Sequence, residues 1–274
     1  MSTARPESHD GHATLRVALG EYDTGWQLPE GSLDRAAVCV ARAASTGARL
    51  VVLPEMCTTG FTMDPHRWAE PVDGPSFARL GTMASQHDVW LMAGVATRAD
   101  GGYTNVAAVF DPRGNLVATY AKQRLFAFAN EHDHYQAGAA PSVIDIDGVR
   151  VSPFVCYDLR FPELFRAAAP VCDLMVVIAN WPAVRRPHWD ALLPARAIEN
   201  QAYVIGVNRT GMAGGIQYDG GSVAYDPWGL SVAQRTAVAS PAVADVSTAR
   251  VASIRAQYPF LADLAFQSLS EAAV

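Results

Sequence analysis

Short apolar runs alternate with stretches of helical period along most of this chain. That alternation limits it to a layered α/β architecture. Residues 15–19, 50–53, 149–155, 174–179 and 203–208 are short, mostly apolar runs and read as buried strands. Residues 89–97, 104–111 and 116–120 read as further strands. The Pro-Arg-Gly-Asn stretch at 112–115 has the chemistry of a hairpin turn. Ala36, Ala37, Val40, Ala41 and Ala44 recur at helical spacing and predict a helix over 33–44, with Gly47 as its stop. Helices are also expected over 76–86, 189–201 and 248–257. Residues 121–141 read as loop, and late strands are expected at 221–226, 230–234 and 242–246. Hairpins beside helix-linked strands predict mixed sheets. So many strands are best accommodated as two sheets face to face, covered by helices.

Composition narrows the function classes. Half of the 274 residues are apolar and 18% are charged, which excludes a mainly disordered chain. Lys plus Arg is 21 against 27 for Asp plus Glu, a net charge of −6, so nothing draws the molecule toward nucleic acid. No apolar run approaches the roughly 18–20 residues of a membrane helix, so no membrane partner is expected. Residues 1–13 are polar and lack the apolar segment of a secretion signal. They read as a flexible tail before one domain over 14–274, and a cytoplasmic location is the default expectation. Cys39, Cys57, Cys156 and Cys172 are scattered without CxxC spacing, which argues against a zinc site or a disulfide framework. Cys39 and Cys172 read as small buried hydrophobes.

Three polar residues stand where strands run out. Glu55 follows the apolar run at 50–53 and Pro54, Lys122 follows the strand ending at Tyr120, and Cys156 follows the strand at 149–155. Strand ends in α/β folds are where ligands bind. A thiol, a carboxylate and an ammonium converging there would supply a nucleophile, a base and an oxyanion stabiliser. Taken singly, each has another reading. Glu55 suits a helix cap or an arginine partner, Lys122 a solvated surface, and Cys156 the core.

The strings around these residues resemble the nitrilase superfamily of carbon–nitrogen hydrolases. They are LVVLPEMCTTGF at 50–61, YAKQRLF at 120–126, VCYDLRFPELFR at 155–166 and ANWP at 179–182. EHDHYQAG at 131–138 and LLPARAIENQAYVIGVNRTG at 192–211 are similar to the bacterial omega-amidase branch. The resemblance implies a four-layer α-β-β-α sandwich, usually a homodimer. It implies Glu55 as general base, Lys122 as the cation and Cys156 as the nucleophile, with no metal and no cofactor. Glu131 matches a second glutamate that sits near the lysine. Phe126, Tyr157, Asn180 and Trp181 are expected around the substrate, with the Tyr157 backbone N–H beside the oxyanion. Arg160 and Glu163 are expected to brace the cysteine turn through ion pairs. Cys57 stands where the branch more often has a bulky aromatic, and it is expected to border the pocket.

The activity implied is hydrolysis of the terminal amide of a short 2-oxo dicarboxylic acid, 2-oxoglutaramate or 2-oxosuccinamate. Such a small-molecule substrate carries a carboxylate, for which Arg185, Arg186 and Arg209 are candidates. His132, Asp133 and His134 are metal-capable types, but without a second cluster the signal is thin. The same trio would serve a hydrolase of N-carbamoyl amino acids, nitriles or another small linear amide. A silent dimeric scaffold is a further alternative. A papain-like protease does not fit, because Cys156 follows a strand and no histidine context accompanies it.

Overall fold

The computed structural model describes residues 11–99, 101–233 and 241–263. Its first half holds strands β1 (Thr14–Leu19), β2 (Leu50–Val52), β3 (Trp90–Ala99), β4 (Gly102–Phe110) and β5 (Leu116–Ala121). Helices α1 (Pro29–Ala44), α2 (Pro65–Trp68) and α3 (Pro75–His87) lie between them. The second half holds β6 (Ile144–Ile146), β7 (Val149–Val155), β8 (Leu174–Ala179), β9 (Tyr203–Asn208), β10 (Thr210–Ala213), β11 (Ile216–Asp219), β12 (Val223–Tyr225) and β13 (Ala242–Ser247). Its helices are α4 (Pro162–Ala168), α5 (Arg186–Asn200) and α6 (Thr248–Gln257). One sheet has the order β13-β1-β2-β3-β4-β5 and the other β12-β9-β8-β7-β6, while β10 and β11 form a separate hairpin. Both large sheets are mixed, since β1-β2-β3 and β7-β8-β9 are parallel and the flanking pairs are antiparallel.

The two-residue period of the strands builds the layers. On the first sheet Val17, Leu50, Val52, Ala107 and Val109 turn inward onto Val151, Leu174, Val176 and Ile205 of the second. Their alternating neighbours Ala18, Val51, Ala108 and Phe110 turn outward onto Leu33, Ala36 and Val40 of α1 and Phe77 and Leu80 of α3. Trp189, Leu193 and Ala197 of α5 cover the far side of the second sheet. The four-layer sandwich expected from the sequence is the fold observed.

Boundaries moved little. Helix α1 begins at Pro29 and α5 at Arg186, each with a proline in its first turn, where the missing N–H is harmless. The expected strand at 230–234 does not form. Ser231 makes one isolated bridge to Tyr225, and Gln234 lies outside the described residues. Of the expected N-terminal tail, residues 1–10 lie outside them too. Ala13 is already tied to Thr248 by a hydrogen bond of 2.8 Å.

Candidate active site

Strands β2, β3 and β5 run in one direction, as do β7, β8 and β9. Each set therefore places its C-terminal ends along one edge of its sheet. Glu55 lies just beyond β2 and Lys122 directly follows β5. Cys156 directly follows β7 and Asn180 directly follows β8. The two edges meet, because the Asn180 backbone N–H donates to Glu55 Oε2 at 2.8 Å. Sequence distance hid this convergence, and the sandwich creates it.

Glu55, Lys122 and Glu131 are completely buried. Lys122 Nζ lies 3.1 Å from Glu55 Oε1 and 2.8 Å from Glu131 Oε2. Buried charges persist only when paired, and these three are paired. Burial works against the Lys122 charge, but the two carboxylates outweigh it and hold the ammonium above the ordinary lysine range. Asn105, in β4, donates through Nδ2 to Glu55 Oε1 at 2.7 Å and Glu131 Oε1 at 3.1 Å. The Phe126 N–H donates to Glu131 Oε2 at 2.6 Å.

Cys156 stands at a positive φ of 46°, a conformation side chains rarely adopt, which turns it out of the β7 line. Burial raises its thiol pKa well above the usual range, and the Glu55 charge adds to this against the pull of Lys122. The resting sulfur is a thiol with a carboxylate beside it. Asp158 holds the turn. Its carboxylate accepts from the N–H groups of Val155, Gln123 and Arg124 and from the Tyr120 hydroxyl, at 2.8–3.2 Å. It thereby ties the cysteine turn to the lysine segment. Burial raises its pKa to about 6 against the pull of those donors.

A pocket opens over this cluster. Lys122, Cys156, Tyr157 and Asn180 line its inner part, and Phe61, Phe126, Trp181 and Tyr218 supply aromatic wall. Its volume is about 170 Å³, and a cavity of ~150 Å³ holds a benzene-sized molecule, so the pocket suits a small ligand. Trp181 is held by Asn208, which accepts from its backbone N–H at 2.8 Å.

Phe126, Tyr157, Asn180 and Trp181 thus surround one pocket with Lys122 and Cys156, Glu55 is buried beside Lys122, and Glu131 contacts the lysine. Other expectations need correction. Cys57 does not border the pocket. The left-handed turn at Met56, φ 40°, sends it away from Glu55, and it is buried among Leu53, Leu33 and Ala36 behind the first sheet. Among the described residues Arg160 makes no ion pair, so it does not brace the cysteine turn in that way. It lines the pocket, lies over the Trp181 ring at 4.9 Å, and contacts His188 Nδ1 at 3.0 Å. Glu163 pairs with Arg124 at 3.2 Å. Among the candidate arginines, Arg186 is committed to Asp190 and Asp219, and buried Arg209 to Asp23. Arg185 remains on the pocket wall. His132 and Asp133 are exposed on the turn whose Glu131 is buried. Among the described residues no three potential metal-ligating side chains gather.

Sequence reasoning gave no role to Asn105, Asp158, Phe61 or Tyr218. Asn105 carried a signal, as a polar residue in the apolar run 104–111. Tyr218 sits on the hairpin closed by Gly214-Gly215, a two-residue turn readable from the sequence.

The four-layer fold, with a half-buried thiol beside a buried carboxylate and ammonium, defines an enzyme of carbon–nitrogen bond hydrolysis. Residues 16–256 match the family model described as carbon-nitrogen hydrolase, and the chain belongs to that family. It is 41% identical over 217 residues to "Omega-amidase YafV" of Escherichia coli strain K12, covering 78% of this chain and 83% of that one. It is 32% identical over 251 residues to "2-oxoglutaramate amidase" of Bacillus subtilis strain 168, covering 90% and 96%. The crystal structure of XC1258 from Xanthomonas campestris, a CN-hydrolase superfamily protein with an arsenic adduct in its active site, superposes with a TM-score of 0.84. It is 34% identical, over 92% of this chain and 97% of that one. The chain is a hydrolase of amide bonds in the omega-amidase branch of the nitrilase superfamily.

Proposed function

We propose that the enzyme hydrolyses the terminal amide of a short 2-oxo dicarboxylic acid monoamide, 2-oxoglutaramate or 2-oxosuccinamate, through a thioester on Cys156. The observation that carries this is the closed cluster of Glu55, Lys122 and Glu131 beside the Cys156 thiol in a small pocket. The names of the relatives point to the same substrate class.

The thiol needs a base, since its proton is held tightly at rest. Glu55 takes that proton as sulfur attacks the amide carbon. Charge builds on the carbonyl oxygen. Lys122 Nζ is held by Glu55 Oε1 and by both Glu131 oxygens, and its ammonium charge offsets the charge that builds on this oxygen. The Tyr157 backbone N–H is a donor to it, and one such contact is worth roughly 3–4 kcal/mol of barrier. Glu55 then protonates the leaving nitrogen, ammonia departs, and the thioester remains. Water, deprotonated by Glu55, attacks the thioester. The acid leaves and the thiol is restored.

The test is ammonia release from 2-oxoglutaramate beside glutamine, an N-carbamoyl amino acid and a simple nitrile, with Cys156→Ala as control. Selective turnover of the 2-oxo amide, absent in the variant, is expected. Preference for another member of the panel would overturn the substrate, and activity in Cys156→Ala would overturn the mechanism.

A further inference from the structure

Glu55 offers two oxygens to the Cys156 proton, and the fold loads them unequally. Oε1 accepts from Asn105 Nδ2 at 2.7 Å and from Lys122 Nζ at 3.1 Å. Two donors occupy both lone pairs of a carboxylate oxygen. Oε2 accepts from the Asn180 backbone N–H at 2.8 Å. Asn180 Nδ2 is committed to the Glu55 backbone oxygen at 2.7 Å and comes only within 3.4 Å of Oε2. Oε2 therefore keeps a lone pair that no short hydrogen bond fills. The thiol shares its neighbour, with Cys156 Sγ 3.9 Å from the Asn180 backbone oxygen.

The difference between the two oxygens comes from Asn105. It is completely buried in β4, opposite Ala96 of β3, and its backbone oxygen accepts from the Lys122 N–H at 2.8 Å. Besides Glu55, its Nδ2 donates to Glu131 Oε1 at 3.1 Å. The reverse orientation of the amide would aim its oxygen at two carboxylates, so the donor end faces them. Oδ1 is left buried with no hydrogen-bond partner among the described residues. An unpaired buried acceptor costs stability, so this amide serves the carboxylates rather than the packing of β4.

We propose that Asn105 is a positioning residue that closes Glu55 Oε1 to protons, so that Oε2 is the basic atom of the reaction. This rests on the amidase reading of Cys156 and adds the atom and the residue that selects it. In the first half the thiol proton passes to Oε2 as the sulfur–carbon bond forms and the carbonyl electron pair moves onto oxygen. That proton leaves with ammonia when the carbon–nitrogen bond breaks. In the second half a water proton passes to Oε2 as the oxygen–carbon bond forms, and it returns to sulfur when the sulfur–carbon bond breaks. Without Asn105, Oε1 has an open lone pair on the lysine side, and a proton bound there is lost to the reaction. The charged or titratable groups facing Glu55 are Lys122, Glu131, Cys156, Tyr135 and Tyr218.

The pH profile of kcat/KM for ammonia release from 2-oxoglutaramate reads this out, because its acid limb reports the base of the free enzyme. Glu131 and Lys122 titrate with Glu55, so the limb belongs to the cluster. Asn105→Ala removes a donor to ionised carboxylates, and its limb should move up by about one pH unit. Its kcat should fall about tenfold with KM unchanged. Asn105→Asp keeps the shape and sets a third carboxyl beside the first two, so its limb should lie higher still. A residue that only filled β4 would lower activity equally at every pH. A limb unmoved in both variants would overturn the proposal. So would loss of the far-ultraviolet circular dichroism of the fold in both, which would make Asn105 a stability residue.

A second arm needs no turnover. Alkylation of Cys156 by iodoacetamide, followed by intact mass with Cys156→Ala as the blank, also requires the base. Its acid limb should move in Asn105→Ala as that of hydrolysis does. If no amide is hydrolysed but this limb moves, the selection of Oε2 stands and the amidase reading falls. If amides are hydrolysed and neither limb moves, the selection of Oε2 falls alone.

Discussion

Glu55 sits at the centre of the polar cluster, touched by Lys122, Asn105 and the backbone N–H of Asn180. A residue so fully engaged can change protonation without moving, which is what a base acting in both halves of a reaction requires. Glu55→Gln keeps the shape and removes the basicity. Steady-state turnover should vanish, while slow attack leaves Cys156 acylated. Intact-mass spectrometry should show the acyl adduct in Glu55→Gln and none in Cys156→Ala. Normal turnover in Glu55→Gln would dismiss it as the base. Asp158 offers a test of a different kind. Its folded pKa, about 6, lies above the unfolded value of ~3.9. The folded state therefore holds this proton more tightly, so the stabilising contribution is complete below about pH 4. It is lost as pH rises through about 6 and constant above. Urea midpoints of Asp158→Asn should lack this component, so the gap between wild type and variant should narrow as pH rises from 4 to 6. A gap independent of pH would contradict the assignment.

Elements place these residues through close backbone contact as much as through side chains. Strand β3 passes so near the Glu55 turn that a β-carbon at Gly94 would collide with the backbone of Pro54, Glu55 and Met56. Gly94 O also accepts from the Cys57 N–H at 2.7 Å. Gly94→Ala must displace the Glu55 turn. It should lower stability by about 1–3 kcal/mol and kcat by at least tenfold, measured by denaturant midpoint and ammonia release. Wild-type kinetics in that variant would show that Glu55 does not depend on this contact. The same closeness explains what could be read in advance. Long apolar runs such as β7 and β8 declare themselves, and so do residues at their ends, which is why Cys156, Lys122 and Glu55 were legible. The side to which a residue points beyond a strand end was not. Cys57 is two positions from Glu55, but the left-handed residue between them reverses its direction. Arg160 was misassigned because nothing in the sequence shows that its neighbours include Trp181 and His188 rather than an acid. Short elements such as β6 and the β10–β11 hairpin were missed because a few residues carry little periodicity. The Gly214-Gly215 turn was the one cue that would have brought Tyr218 to the pocket.

At the scale of the molecule, the site belongs to neither sheet. Glu55 and Lys122 come from the first, Cys156 and Asn180 from the second, and the apolar layer between them sets their separation. Activity should therefore report the docking of the sheets. Leu50 is completely buried in that layer, on the strand that leads to Glu55. Leu50→Ala should cost about 2–5 kcal/mol, depending on how far the layer collapses into the space left. Its urea midpoint should fall by the same amount whether followed by ammonia release, tryptophan fluorescence or far-ultraviolet circular dichroism. Agreement is required if the sheets separate and unfold together. Loss of activity at a distinctly lower urea concentration than loss of secondary structure would reveal a state in which each sheet persists undocked. The apolar layer would then be a joint between two stable halves rather than their common core.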